Sequence, residues 1–110
     1  MKVEERGHTV TLKDTKGNIK AFLDLVTSEY NSYKESNIIL DITQDSKVTL
    51  NDILGFLSLS NKHRQTKKSF VIVVTDFDFN EVPEEMIVVP TVLEAHDIIE
   101  MEEIERDLGF

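Results

Sequence analysis

Two short runs, Asn37-Ile38-Ile39-Leu40-Asp41-Ile42 and Ser69-Phe70-Val71-Ile72-Val73-Val74-Thr75, are apolar at nearly every position and rich in β-branched residues. A strand covered on one face alternates apolar with polar residues, whereas a strand covered on both faces does not. Each run therefore predicts a strand inside a sheet with helices on both sides. Between them, Thr43, Gln44, Asp45, Ser46, Lys47 and Val48 form a polar loop, and Thr49-Leu50-Asn51-Asp52-Ile53-Leu54-Gly55-Phe56-Leu57 opens like a helix. Thr49 suits an N-cap, with Asp52 three residues later as a short capping-box partner, and Leu50, Ile53, Leu54 and Leu57 form the apolar stripe behind it. Two buried strands joined by one helix make a βαβ unit, which pairs in parallel through a right-handed crossover. Gly55 inside that helix costs up to about 1 kcal/mol against alanine, so its place there predicts a close approach to a neighbour.

The rest of the chain extends this unit. Residues 2–13 read as two short strands broken at Gly7, with Val10 and Leu12 alternating against Thr9, Thr11 and Lys13, an opening hairpin. The turn formers Asp14-Thr15-Lys16-Gly17 lead to Asn18 as an N-cap. Ile19, Phe22, Leu23, Val26, Tyr30 and Tyr33 then line one face of a helix of about four turns. After the second buried strand, Asp76-Phe77-Asp78-Phe79-Asn80 forms an irregular loop, and Asn80 is expected to cap a short helix over 81–85. Met86-Ile87-Val88-Val89 is the last strand and Pro90 ends it. Thr91 and Glu94 form a capping box for a final helix with Val92, Ala95, Ile98, Ile99 and Met101 inward. Its end, with Glu100, Glu102, Glu103, Glu105 and Asp107 against Arg106, is expected to be solvated, with Leu108 and Phe110 folding back or meeting a partner. The order is ββαβαβαβα: an α/β fold, a mixed sheet with a central parallel βαβ unit and about four helices.

At 110 residues the chain fits one domain, and without cysteine neither a disulfide framework nor a thiolate zinc site is possible. No run is long and apolar enough for a membrane span, and Met1-Lys2-Val3-Glu4-Glu5-Arg6 lacks the core of a signal peptide, so the cytoplasm is the default compartment. A net charge of −9 argues against nucleic acid as the main ligand. The cluster Lys62, His63, Arg64, Lys67 and Lys68 reads as a basic helix end complementing the helix dipole, with His63 exposed.

Catalytic chemistry has little to stand on. Asp45, Asp76 and Asp78 follow the carboxyl ends of adjacent strands, where three carboxylates can hold Mg²⁺, but loop aspartates are more often turn formers and no metal site is assigned. A phosphoryl-transfer site would also want a phosphate-binding glycine loop and a positioned lysine, which are missing from the sequence. Ser58, Ser60 and Ser69 lack the glycine-flanked elbow of a nucleophile. The chain is read as no enzyme, with no cofactor.

Residues 37–74 resemble the STAS domain of anti-sigma-factor antagonists, where an apolar strand ending in Leu-Asp, a loop, a helix start, a helix and a second apolar strand follow at this spacing. Pro90-Thr91-Val92-Leu93-Glu94-Ala95 with Ile98-Ile99 resembles that family's last strand and helix. The ending Met101-Glu102-Glu103-Ile104-Glu105-Arg106-Asp107-Leu108-Gly109 is similar to that of small bacterial STAS-like proteins that accompany ribonuclease Z and are sometimes labelled with its name. The nuclease's zinc chemistry needs a dense His-x-His-x-Asp-His cluster, and His8, His63 and His96 are scattered. The STAS phosphorylation motif, Asp-Ser-Ser-Gly, falls here on Thr49, Leu50, Asn51 and Asp52, so Leu50 replaces the phosphoacceptor and Asp52 the glycine. The resemblance implies a non-catalytic regulatory domain that binds another protein through Ser46, Thr49, Leu50, Asn51 and Asp52. Thr49 or Ser46 is the substitute phosphoacceptor if a switch survives, and an anti-sigma-type protein or ribonuclease Z is the partner implied.

Overall fold

The computed structural model describes residues 1–109 and contains one five-stranded sheet in the order β1-β2-β3-β4-β5. Strand β1 (Lys2–Arg6) runs antiparallel to β2 (Thr9–Lys13), joined through Gly7 at φ +59°, a left-handed turn that glycine adopts without strain. Strands β3 (Asn37–Asp41), β4 (Phe70–Val73) and β5 (Ile87–Val89) follow β2 in parallel, with Leu12, Leu40, Ile72 and Val88 in register across the four. The run that reads as doubly buried is the middle strand, and all of its residues are buried.

Helices α1 (Ile19–Ser28), α2 (Tyr30–Tyr33), α3 (Leu50–Leu54) and α4 (Leu57–Gln65) cover one face of this sheet. There Val10, Leu12, Ile38, Leu40, Ile42, Phe70, Ile72 and Val74 meet Phe22, Val26, Tyr30, Ile53, Phe56 and Leu59. Parallel strands laid down in simple order with right-handed crossovers keep those crossovers on one side. Helix α5 (Val92–Asp107) comes after the last strand and takes the other side, where Ile39, Val71, Val73 and Val89 pack on Ala95 and Ile99. Asn18 Oδ1 accepts from Ala21 N at 3.1 Å, as an N-cap should. Thr91 Oγ1 accepts from Glu94 N at 3.1 Å, so Thr91 caps α5 as expected, but the Glu94 carboxylate does not return the bond and the expected capping box is only half formed.

Four expectations need correction. The first long helix breaks at Glu29 into α1 and α2, and the second breaks at Gly55-Phe56, which turns Phe56 fully into the core beside Phe22. A Cβ at Gly55 would lie 3.2 Å from Asp52 O and 3.4 Å from Leu23 Cδ2, so the close approach is real. The segment after β4 forms a 3-10 turn, Phe79–Glu81, not a helix over 81–85; Asp78, two residues before Asn80, accepts the Asn80 N–H and starts it.

The third correction concerns α5. Met101 is exposed, while Glu102, Glu103 and Arg106 turn inward. Ser69 Oγ donates to Glu102 Oε1 at 2.6 Å, Arg64 Nη2 to Glu102 Oε2 at 3.2 Å, and Arg106 Nη2 to Asn37 Oδ1 at 3.3 Å. Burial works against the Glu103 carboxylate, yet bonds to His8 and Asn37 and the nearby Arg106 charge hold it below its ordinary range. The acidic end is thus partly a clasp on the starts of β3 and β4. Leu108 is exposed and does not fold back; Phe110 lies outside the described residues.

The fourth is His63, which is fully buried instead of exposed at a helix end. Its Nε2 lies 2.8 Å from the Ser36 carbonyl, which can only accept, so Nε2 carries the proton. Nδ1 is left to accept from the Tyr30 hydroxyl at 2.6 Å. Two of its basic neighbours also have partners: Lys62 Nζ sits 5.0 Å from the Tyr30 ring centre, and Arg64 is tied to Glu102. Among the described residues no helix is long and apolar enough to cross a membrane.

Candidate functional site

The carboxyl ends of β2 and β3 lie side by side, and the turns leaving them bring three buried aspartates to one end of the sheet. Asp14 follows β2; its N–H donates to Asp41 O at 3.0 Å, and its carboxylate accepts from Lys16 N and Asn18 N at 3.0 and 3.1 Å. That fixes the turn from which Asn18 caps α1. Asp41 ends β3, and its Oδ1 accepts from Thr43 N and Thr43 Oγ1 at 3.0 and 2.7 Å, anchoring the start of the loop. The loop then doubles back: Asp45 N donates to Ile42 O at 3.0 Å, and Lys47 adopts φ 55°.

Asp45 itself points inward. It is 7% exposed, and among the described residues neither of its side-chain oxygens has a hydrogen-bond donor. It faces the Asp14 carboxylate, a contact that becomes a hydrogen bond only when one of the two carries a proton. Burial first, then Asp14 and Asp52, push the Asp45 carboxyl up to about 7.

At the loop's far end Thr49 Oγ1 accepts from Asp52 N at 3.2 Å and Thr49 N donates to Asp52 Oδ2 at 2.9 Å, a full capping box. Residues read as partner-binding therefore fall on one short surface. Ser46, Thr49 and Asn51 are exposed, Leu50 and Asp52 half-buried. Asp52 is committed to the cap, which leaves Leu50 and Asn51 as side chains with no part in it. Replacing Thr49 with alanine is expected to cost about 1 kcal/mol by urea denaturation, the usual worth of such a cap. An unchanged midpoint would mean the box contributes nothing.

The other sequence candidates separate. Asp76 and Asp78 are exposed on the loop after β4, Asp78 capping the 3-10 turn. Asp45 meets Asp14 in their place, and no group of three or more His, Asp or Glu side chains among the described residues could hold a metal ion. Asp14 reads in sequence only as a turn former. Its one signal is position, directly after a strand that pairs with β3. A carboxyl raised toward neutrality beside another often marks an acid-base site, yet the Asp45 oxygens are out of reach of solvent. A substrate cannot approach them, and the pair acts on the loop's stability. The chain matches no protein-family model and no curated protein.

Proposed function

We propose that the chain is a non-catalytic, STAS-like interaction domain of the cytoplasm that binds another protein through residues 43–48 and the start of α3. The observation that carries this reading is a surface held at both ends: Asp41 clamps Thr43, the capping box fixes Thr49, and Leu50 sits half-buried between exposed Thr49 and Asn51. An apolar side chain framed by polar ones on a fixed loop suits an interface anchor. The resemblance supports the same location, since its signalling motif falls on residues 49–52. With Leu50 in the acceptor position, binding is constitutive rather than phosphate-gated.

The test is capture from lysate of the native host by wild-type protein and by Leu50→Asp and Asn51→Ala, neither of which touches the cap. A partner held by the wild type is expected to fall about tenfold or more with Leu50→Asp, the loss typical of an interface anchor. Equal recovery by all three proteins would remove the site. A second reading has one observation behind it: the Thr49 hydroxyl is engaged as a cap, whereas Ser46 is exposed, so a phosphate on this loop would be carried by Ser46. Intact-mass measurement of protein from its native host, with Ser46→Ala as control, decides it.

A further inference from the structure

Helix α5 is apolar on two opposite sides. Its inner side supplies Ala95 and Ile99 to the core and Glu102 and Arg106 to the clasp on β3 and β4. Its outer side carries Leu93, Met101, Ile104 and Leu108, which are 68%, 61%, 58% and 67% exposed. At about 100° per residue these four positions fall within an arc of roughly 80°, a straight ridge on the order of 20 Å long. Isolated exposed apolar residues are ordinary, but four aligned along one helix form a patch of the kind that marks an interaction site.

Charge decides what fits it. Every charged residue of α5 beside or within the ridge is acidic: Glu94, Asp97, Glu100, Glu105 and Asp107, all exposed. The basic side chains nearby, Arg6 by Glu100 and Lys67 and Lys68 by Asp107, come from other elements at the helix's flanks. The only Arg or Lys in α5, Arg106, is turned inward to Ser69 and Asn37. A second copy of α5 would set acidic rows against acidic rows, between chains that each carry −9. An anionic membrane surface would be repelled in the same way. A helix with its own apolar stripe between Lys or Arg residues would bury the ridge and pair both rows.

We propose that the outer face of α5 is a docking surface for a basic amphipathic helix of a partner protein. This surface lies across the sheet from residues 43–52 and is independent of the function proposed above.

Full-length protein would be titrated into a labelled synthetic peptide of about 20 residues, with leucines spaced three and four apart and flanked by lysines. Two controls accompany it: the same peptide with glutamate in place of lysine, and one of equal composition without helical periodicity. The expected result is saturable binding to the periodic lysine peptide alone, weakened several-fold by a roughly tenfold rise in ionic strength. Met101→Glu and Ile104→Glu are expected to weaken it about tenfold or more, while Leu50→Asp leaves it unchanged. Both α5 positions are exposed, so circular dichroism and melting should match the wild type. Absent binding, equal binding of either control peptide, or binding indifferent to Met101→Glu and Ile104→Glu would overturn the proposal. So would a dimer in sedimentation that Met101→Glu dissolves, because the ridge would then serve a second copy.

Discussion

Replacing His63 with alanine is expected to lower unfolding free energy by about 3–4 kcal/mol, the range for emptying a large buried site and orphaning its hydrogen-bond partners. The ring stands edge-on to Tyr30, with centroids 5.4 Å apart, and packs against Phe70 at 6.0 Å. It also joins α4 to α2 through the Tyr30 hydroxyl and to the entry of β3 through the Ser36 carbonyl. Tyr30→Phe removes one of those bonds and leaves Nδ1 unpaired, so about 1–2 kcal/mol is expected from it. Urea denaturation measures both. A His63→Ala loss under about 1 kcal/mol would contradict a buried, doubly bonded ring.

The same residue carries a pH signature. Burial pushes the His63 imidazole below its ordinary range, the Ser36 bond partly opposes this, and Lys68 and Arg64 reinforce it. A folded-state value below the unfolded 6.5 means the neutral ring is favoured by folding. Its contribution is therefore full above pH 6.5 and declines as pH falls below it. In His63→Ala this decline should vanish, although the variant is less stable throughout.

Asp45→Asn is expected to stabilise the protein, by about 2 kcal/mol at pH 8, since it removes a buried charge facing another carboxylate and supplies an amide donor. The sign is opposite to that of His63. The Asp45 carboxyl lies at about 7 in the folded chain against 3.8 unfolded, so its favourable contribution is complete below pH 3.8 and lost as pH rises through 7. The gain from asparagine should thus be largest above pH 7 and shrink toward zero near pH 4. Asp14→Asn should behave differently, because Asp14 also accepts from Lys16 N and Asn18 N and the amide can accept at one atom only. Denaturation at pH 5 and pH 8 separates the cases. Equal destabilisation by Asp45→Asn at both values would show that Asp45 makes a favourable bond as a carboxylate. The slopes of Asp45 and His63 oppose each other just below pH 6.5, so the wild type alone should show a muted profile there.

Both residues show where sequence reasoning runs out. His63 stands between Lys62 and Arg64, a setting that in one dimension reads as a solvated basic end. Its burial depends on Tyr30 and Ser36, 33 and 27 positions earlier, which only folding brings to it. Asp45 was legible as a loop carboxylate at a strand end, but its neighbour was not: Asp76 and Asp78 follow the strand on one side, Asp14 the strand on the other. The loop turns toward Asp14.

Residue type and spacing alone determined the α/β class, the central place of Ile38-Ile39-Leu40 and the caps at Asn18, Thr49 and Thr91, since run length and capping act within a few residues. They also placed Ser46 to Asp52 on one surface, because that segment is contiguous. Tertiary structure decided the inner side of α5. The starts of β3 and β4 present Asn37 and Ser69, which draw in Glu102, Glu103 and Arg106 and leave Met101 and Ile104 facing water. A helix end that ties polar strand ends must turn its charges inward, and the apolar residues between them are left outside for another surface to cover.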